Sequence, residues 1–179
     1  MSATPRYRCL EFITLTACRL SEVLYAEWSE IDFDNRVWVA PASRMKANKE
    51  HRVPLSAPAL AVLKAMQVIR HSDYIFPGNR PGRPVGVVTP VRLAKQAAGS
   101  DITVHGLRST FRDWAAERTN FPREVAEMAL AHAIPDAVEA AYRRGDLFDK
   151  RRKLMDAWAA YCAKAETDSK VVAIRGRPA

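Results

Sequence analysis

The chain has 179 residues, 48% of them hydrophobic and 27% charged, which is the make-up of one folded globular domain rather than a disordered or fibrous chain. Its net charge of +8 favours an anionic partner, nucleic acid before an anionic membrane surface. Three cysteines without CxxC spacing argue against a disulfide framework or a zinc ribbon and suit a reducing compartment, and the four histidines form no HxxxH pair. No apolar run approaches the roughly 20 residues of a membrane-spanning helix, and the early run "FITLTAC" is cut short by Arg19, so it is not a signal peptide.

In chain order, residues 5–17 read as a helix with Leu10, Ile13 and Leu15 inward, and "RLSEVLYAEW" as a second, short helix. The style then changes. The alternating strings "RVWVA" and "HRVPL", with turns at "DN" and "KANKE", predict a small antiparallel sheet across 30–55. Helices return at 57–70, about 89–98, 104–118, 122–130 and about 135–143. The strongest pattern is "DLFDKRRKLMDAWAAYCAK", in which Leu147, Phe148, Leu154, Met155, Trp158, Tyr161 and Cys162 follow helical spacing and face inward. The tail from 166 is polar and then runs "KVVAI", a short β-prone segment that could add to a sheet edge. The fold class is α+β, mainly α-helical with a small antiparallel β-sheet.

The helix at 104–118 has two faces. With His105 at zero, Arg108 falls at about 300° and Arg112 at about 340°, whereas Leu107, Phe111 and Trp114 cluster between about 180° and 240°. One side is core. The other sets an imidazole and two guanidiniums at a helix N-terminus, whose free N–H groups already favour an anion, so it forms a phosphate cradle. Taken alone, the same helix also reads as a core helix with a solvated basic face.

Reading outward adds residues in a fixed order: Arg19 in "TACRLSEV", Lys46 in the turn of the small sheet, His105 and Arg108 in "HGLR", His132 in "LAH" and Tyr142 in "AAYRRGD". This set resembles the tyrosine recombinase (phage integrase) family, and "HRVPLS" and "AYRRGDLFDKRRKLMDAWAAYC" resemble its P4-like prophage branch. Two departures stand out: Cys18 precedes Arg19 and Ala131 precedes His132, where many relatives carry glycine. The likeness covers roughly 5–165.

What the resemblance implies is a DNA breaking-rejoining catalytic domain over 1–165, followed by a tail at 166–179 that docks in cis or in trans. It further implies that the N-terminal arm-binding and core-binding domains are absent here. The reaction expected is transesterification: Tyr142 attacks the scissile phosphorus, a 5′-hydroxyl leaves, and a 3′-phosphotyrosyl bond preserves the bond energy without ATP, metal or other cofactor. Arg19, Arg108, His105 and His132 hold the phosphate oxygens, Lys46 protonates the leaving oxygen, and His105 assists deprotonation of Tyr142. Glu22 is expected to orient an arginine. Arg112, Arg143, Arg144 and the "DKRRK" run are expected at the surface or on the DNA backbone. The partners implied are double-stranded DNA attachment sites, further copies of the chain (a tetramer on DNA in the full-length protein) and DNA-bending accessory proteins, with no membrane, in the bacterial cytoplasm. Two other readings are a type IB topoisomerase-like relaxing enzyme and an inactive, basic DNA-binding remnant.

Overall fold

A computed structural model of the chain describes residues 4–98, 102–132 and 145–165. Helix α1 (Pro5–Thr16) starts on a proline at its first position, where a missing N–H costs nothing. It buries Cys9, Phe12, Ile13 and Leu15. Helix α2 (Leu20–Leu24) is shorter than its sequence suggests. The chain leaves helical geometry because the Ala26 carbonyl accepts from Ile75 N–H (2.9 Å) and Trp28 N–H donates to the Asp73 carbonyl (3.0 Å). Pairing with a distant segment here overrides local propensity.

Strands β1 (Ile31–Asp32), β2 (Val37–Ala40) and β3 (His51–Pro54) form an antiparallel sheet in the order β1-β2-β3. Trp38 faces Ile31 on one side and Val53 on the other. Its ring lies fully buried against Phe12, and its indole N–H donates to Glu30. Helices α3 (Ala57–Val68), α4 (Val88–Ala98), α5 (Val104–Arg118), α6 (Arg123–Ala129) and α7 (Phe148–Ala165) follow. The expected helix at 135–143 and the expected docking tail lie outside the described residues.

Two apolar clusters result. One joins α1, the sheet, α3 and α4 around Phe12, Trp38 and Phe76. The other joins α5, α6 and α7 around Phe111, Trp114, Leu154 and Trp158. Helix α1 bridges them, packing on α3, α4 and α7, and the Trp158 indole N–H donates to the Thr14 carbonyl (2.7 Å). Trp114 and Trp158 are core, as their spacing predicts. Ala17 belongs to the second cluster and Cys18 to the first, so the chain crosses the seam immediately before Arg19.

Two expectations for α7 are corrected. Tyr161 is 43% exposed rather than buried, because it lies at the rim of the second cluster, where its ring stacks on Trp158 (centroids 5.6 Å apart). Arg151, expected at the surface with the rest of "DKRRK", is 1% exposed. It donates to the carbonyls of Asp146 (2.7 Å) and Arg52 (2.6 Å) and to the Asp146 carboxylate (2.6 Å), clamping the start of α7 onto β3. A buried guanidinium is tolerated because its donors are matched.

Candidate active site at the seam

Arg19 stands at the N-cap of α2, just after the left-handed Ala17 (φ 51°) that ends α1. Glu22, one turn on and buried, accepts from the Arg19 backbone N–H (2.9 Å) and from its guanidinium (2.8 Å). The acid therefore holds both ends of Arg19, as the motif "CRLSE" suggests. Cys18, just before Arg19, is buried, and burial pushes its thiol up to about 12, so it is a neutral packing residue and not a nucleophile.

His105 and Arg108 sit in the first turns of α5, whose N-cap Thr103 accepts from Gly106 N–H (2.8 Å). His105 is exposed; Arg108 is only 4% exposed. The Arg108 guanidinium reaches across the seam. It donates to the Ala17 carbonyl (2.5 Å) and to the Leu130 carbonyl (2.7 Å), and lies 3.3 Å from His132 Nε2. Burial lowers its pKa from the ordinary value, and the charge of Arg19 acts in the same direction, but a guanidinium remains protonated at any working pH.

Arg19, His105 and Arg108 line one cleft of about 450 Å³, walled by Leu20, Leu24, Val91 and Val104. Two arginines and a histidine at a helix N-terminus, over an apolar wall, make a site for a tetrahedral oxyanion such as a phosphodiester. His132 is joined to this group through Arg108. Lys46 stands apart, exposed on the loop between β2 and β3 beside the buried Met45. Tyr142 lies outside the described residues, as do Arg143 and Arg144.

Three contributors escape a reading of the sequence. The first is Glu127. Helix α6 ends with His132 N–H donating to the Glu127 carbonyl (3.0 Å), Ala131 N–H to Met128 (3.1 Å), and Ala131 left-handed (φ 51°). That is a Schellman cap, which brings the sixth residue back beside the first. Glu127 Oε2 consequently meets His132 Nδ1 at 2.6 Å, while Oε1 accepts from Arg112 Nε at 2.8 Å. Burial pushes the Glu127 carboxyl up, but the hydrogen bonds and charges of His132 and Arg112 outweigh it and hold the group below its ordinary value. Arg112 is exposed, in line with the expected surface position, and is engaged in an ion pair with Glu127. The available signal was "LAH", an alanine where a glycine cap is usual.

The second is Asp146, which Arg151 pins four residues beyond Tyr142. The third is His51 on β3, whose Nε2 lies 3.3 Å from the Ala129 carbonyl. Burial, then the neighbouring charge of Arg151, lower its pKa to about 4, so it is neutral at pH 7. Nothing in its periodicity separates it from the other histidines.

Comparisons with known proteins bear on this arrangement. The model described as "Phage integrase family" matches residues 2–147. The chain is 39% identical over 169 residues to the prophage integrase IntA of Escherichia coli K12, covering 92% of this chain and 41% of that protein. It is 33% identical over 165 residues to the integrase of Enterobacteria phage P4, covering 82% of this chain and 38% of that one. The chain therefore spans about two-fifths of the length of these curated relatives. Among solved structures, the integrase from mycobacterium phage Brujita shares the fold at a TM-score of 0.65 and 19% identity, over 87% of this chain and 52% of that one. A lambda integrase dimer bound to a COC′ core site does so at 0.56 and 21%, over 73% and 50%. On the extent of the family match and the identity to the prophage integrase, this chain belongs to the phage integrase family, and its fold is that of a tyrosine recombinase catalytic domain.

Proposed function

We propose that residues 1–165 are the catalytic domain of a site-specific prophage recombinase that cleaves and rejoins duplex DNA through a 3′-phosphotyrosyl intermediate. The observation that carries this reading is the shared cleft of Arg19, His105 and Arg108, with His132 held against Arg108.

In the reaction, the Tyr142 oxygen bonds to the scissile phosphorus while the bond from phosphorus to the 5′-oxygen breaks. The phenolic proton leaves, assisted by His105, and Lys46 gives a proton to the departing 5′-oxygen. An ordinary phenol has a pKa of about 10 and is a poor nucleophile at neutral pH, so attack needs this basic, cationic setting. Negative charge grows on the non-bridging oxygens in the five-coordinate state. Arg19 and Arg108 meet it with fixed donors, and His105 and His132 add hydrogen bonds. A 5′-hydroxyl from a second strand reverses the step and completes the exchange.

The partners on this reading are duplex attachment sites, further copies of the chain assembled on DNA, and accessory DNA-bending proteins in the bacterial cytoplasm. Among the described residues no helix is long and apolar enough to cross a membrane. The relatives are integrases, which favours strand exchange over simple DNA relaxation. The test is incubation with a nicked suicide duplex carrying the attachment site. A covalent protein–DNA adduct on the 3′ side is expected. Binding without any adduct would leave the DNA-binding-remnant reading in its place.

A further inference from the structure

We propose that Glu127 is the positioning residue of His132, fixing which ring nitrogen faces the phosphate and supplying the counter-charge for the ring when it is protonated. The part of this that concerns phosphate rests on the recombinase reading above.

An ionised carboxylate only accepts, so the 2.6 Å contact between His132 Nδ1 and Glu127 Oε2 places a hydrogen on Nδ1. On the other side of the ring, Nε2 lies 3.3 Å from Arg108 Nη2, which only donates. Nε2 therefore presents its lone pair to Arg108. The ring is held between a pure acceptor and a pure donor, a setting that admits one neutral tautomer.

Glu127 is itself fixed. Its second oxygen accepts from Arg112 Nε at 2.8 Å, and Arg123 Nε lies 3.7 Å from that same oxygen. The Schellman cap of α6 fixes the backbone of Glu127 relative to that of His132. Arg112 on α5, Glu127 on α6, His132 and Arg108 on α5 thus form one chain of contacts that closes back on the helix where it started. When a phosphate oxygen draws the Arg108 Nη2–H away from Nε2, His132 can join that oxygen only by donating from Nε2, and for that the ring carries protons on both nitrogens. The Glu127 carboxylate, still on Nδ1, is then the counter-ion of the imidazolium. An acid behind a histidine acts in this way wherever it holds the ring's tautomer and orientation.

Two measurements decide the proposal. In the first, two-bond proton–nitrogen NMR spectra of the ¹⁵N-histidine-labelled chain, with the His132 signals assigned by their loss in His132→Ala, report which ring nitrogen is protonated. The Nδ1–H form is expected in the parent, and an Nε2–H form there overturns the proposal. In the second, adduct formation on a suicide duplex is followed for the parent, Glu127→Gln, His132→Ala and the double variant. Glu127→Gln is expected to slow the parent by about tenfold to a hundredfold, the scale of an orienting partner, and to slow His132→Ala less than about twofold further. Equal slowing in both backgrounds would mean that Glu127 acts by some route other than His132. Absence of adduct from the parent would instead contradict the recombinase reading, and the tautomer would still decide the role of Glu127.

Discussion

Arg108 is a structural strut that also lines the candidate cleft. Its bonds to the Ala17 and Leu130 carbonyls tie α5 to the ends of α1 and α6, and its contact with His132 adds a third anchor. The Nε–H and the second Nη1–H keep no protein partner among the described residues. On the recombinase reading these are the donors left for a phosphate, on a guanidinium already anchored by the fold. Arg108→Lys keeps the charge but cannot span two carbonyls and a phosphate at once. It should lower the rate of adduct formation by about 10²–10³, the scale of one lost transition-state donor, and a single-turnover cleavage assay checks this. Lys46 is the opposite case, an exposed side chain on a loop, and its proposed task is to protonate the leaving oxygen. Lys46→Ala should therefore be slow on ordinary DNA. It should recover on DNA with sulfur at the bridging 5′ position, because a thiolate leaves without a proton, whereas Arg19 and Arg108 variants should not recover. Equal defects on both substrates would assign Lys46 to binding.

At the scale of elements, the site depends on how helices end. Both Ala17 and Ala131 adopt left-handed backbone (φ 51° each), and each directly precedes a segment that carries site residues. An L-residue there costs about 1–2 kcal/mol, against about 0.5–1 kcal/mol for the extra chain entropy of glycine. Ala131→Gly should therefore stabilise the protein by roughly 0.5–1 kcal/mol and leave His132 in place, which urea unfolding monitored by tryptophan fluorescence checks. These ends also explain what the sequence made legible. Helix α5 was readable to the residue because its apolar stripe and its basic face agree. The order of site residues was readable because each sits in a short local string. Glu127 was not, since it meets His132 through a turn whose sign is a backbone dihedral at an alanine, not a residue type. Arg151 was hidden for a different reason. A basic run reads as solvated surface, and only the fold shows that two carbonyls and Asp146 surround one of its arginines. Tyr161 was misread because helical spacing gives a face and does not say where the opposing helix stops.

At the scale of the whole molecule, two cores meet along a seam and the candidate site lies on it, so the stability of the site is tied to the docking of the two halves. His51 makes that docking sensitive to acid. Its pKa falls from 6.5 in an ordinary setting to about 4 in the fold. Above pH 6.5 the ring is neutral whether the chain is folded or not, and it contributes nothing to pH dependence. As pH falls from 6.5 towards 4, the unfolded chain takes up a proton that the folded chain refuses, and stability is lost, by at most about 3 kcal/mol. Urea midpoints at pH 7.5 and pH 5 should fall further for the parent than for His51→Gln; equal falls would show that the ring is not held neutral.

Peptide mapping of the trapped adduct shows whether this domain joins itself to DNA through one tyrosine. The candidates other than Tyr142 are Tyr7, Tyr25, Tyr74 and Tyr161, and of these Tyr161 stacks on Trp158 at the rim of the second cluster. The account predicts DNA on the peptide that contains Tyr142, and no adduct from a folded, DNA-binding Tyr142→Phe variant. DNA attached to any other tyrosine, or an undiminished adduct from Tyr142→Phe, would contradict it.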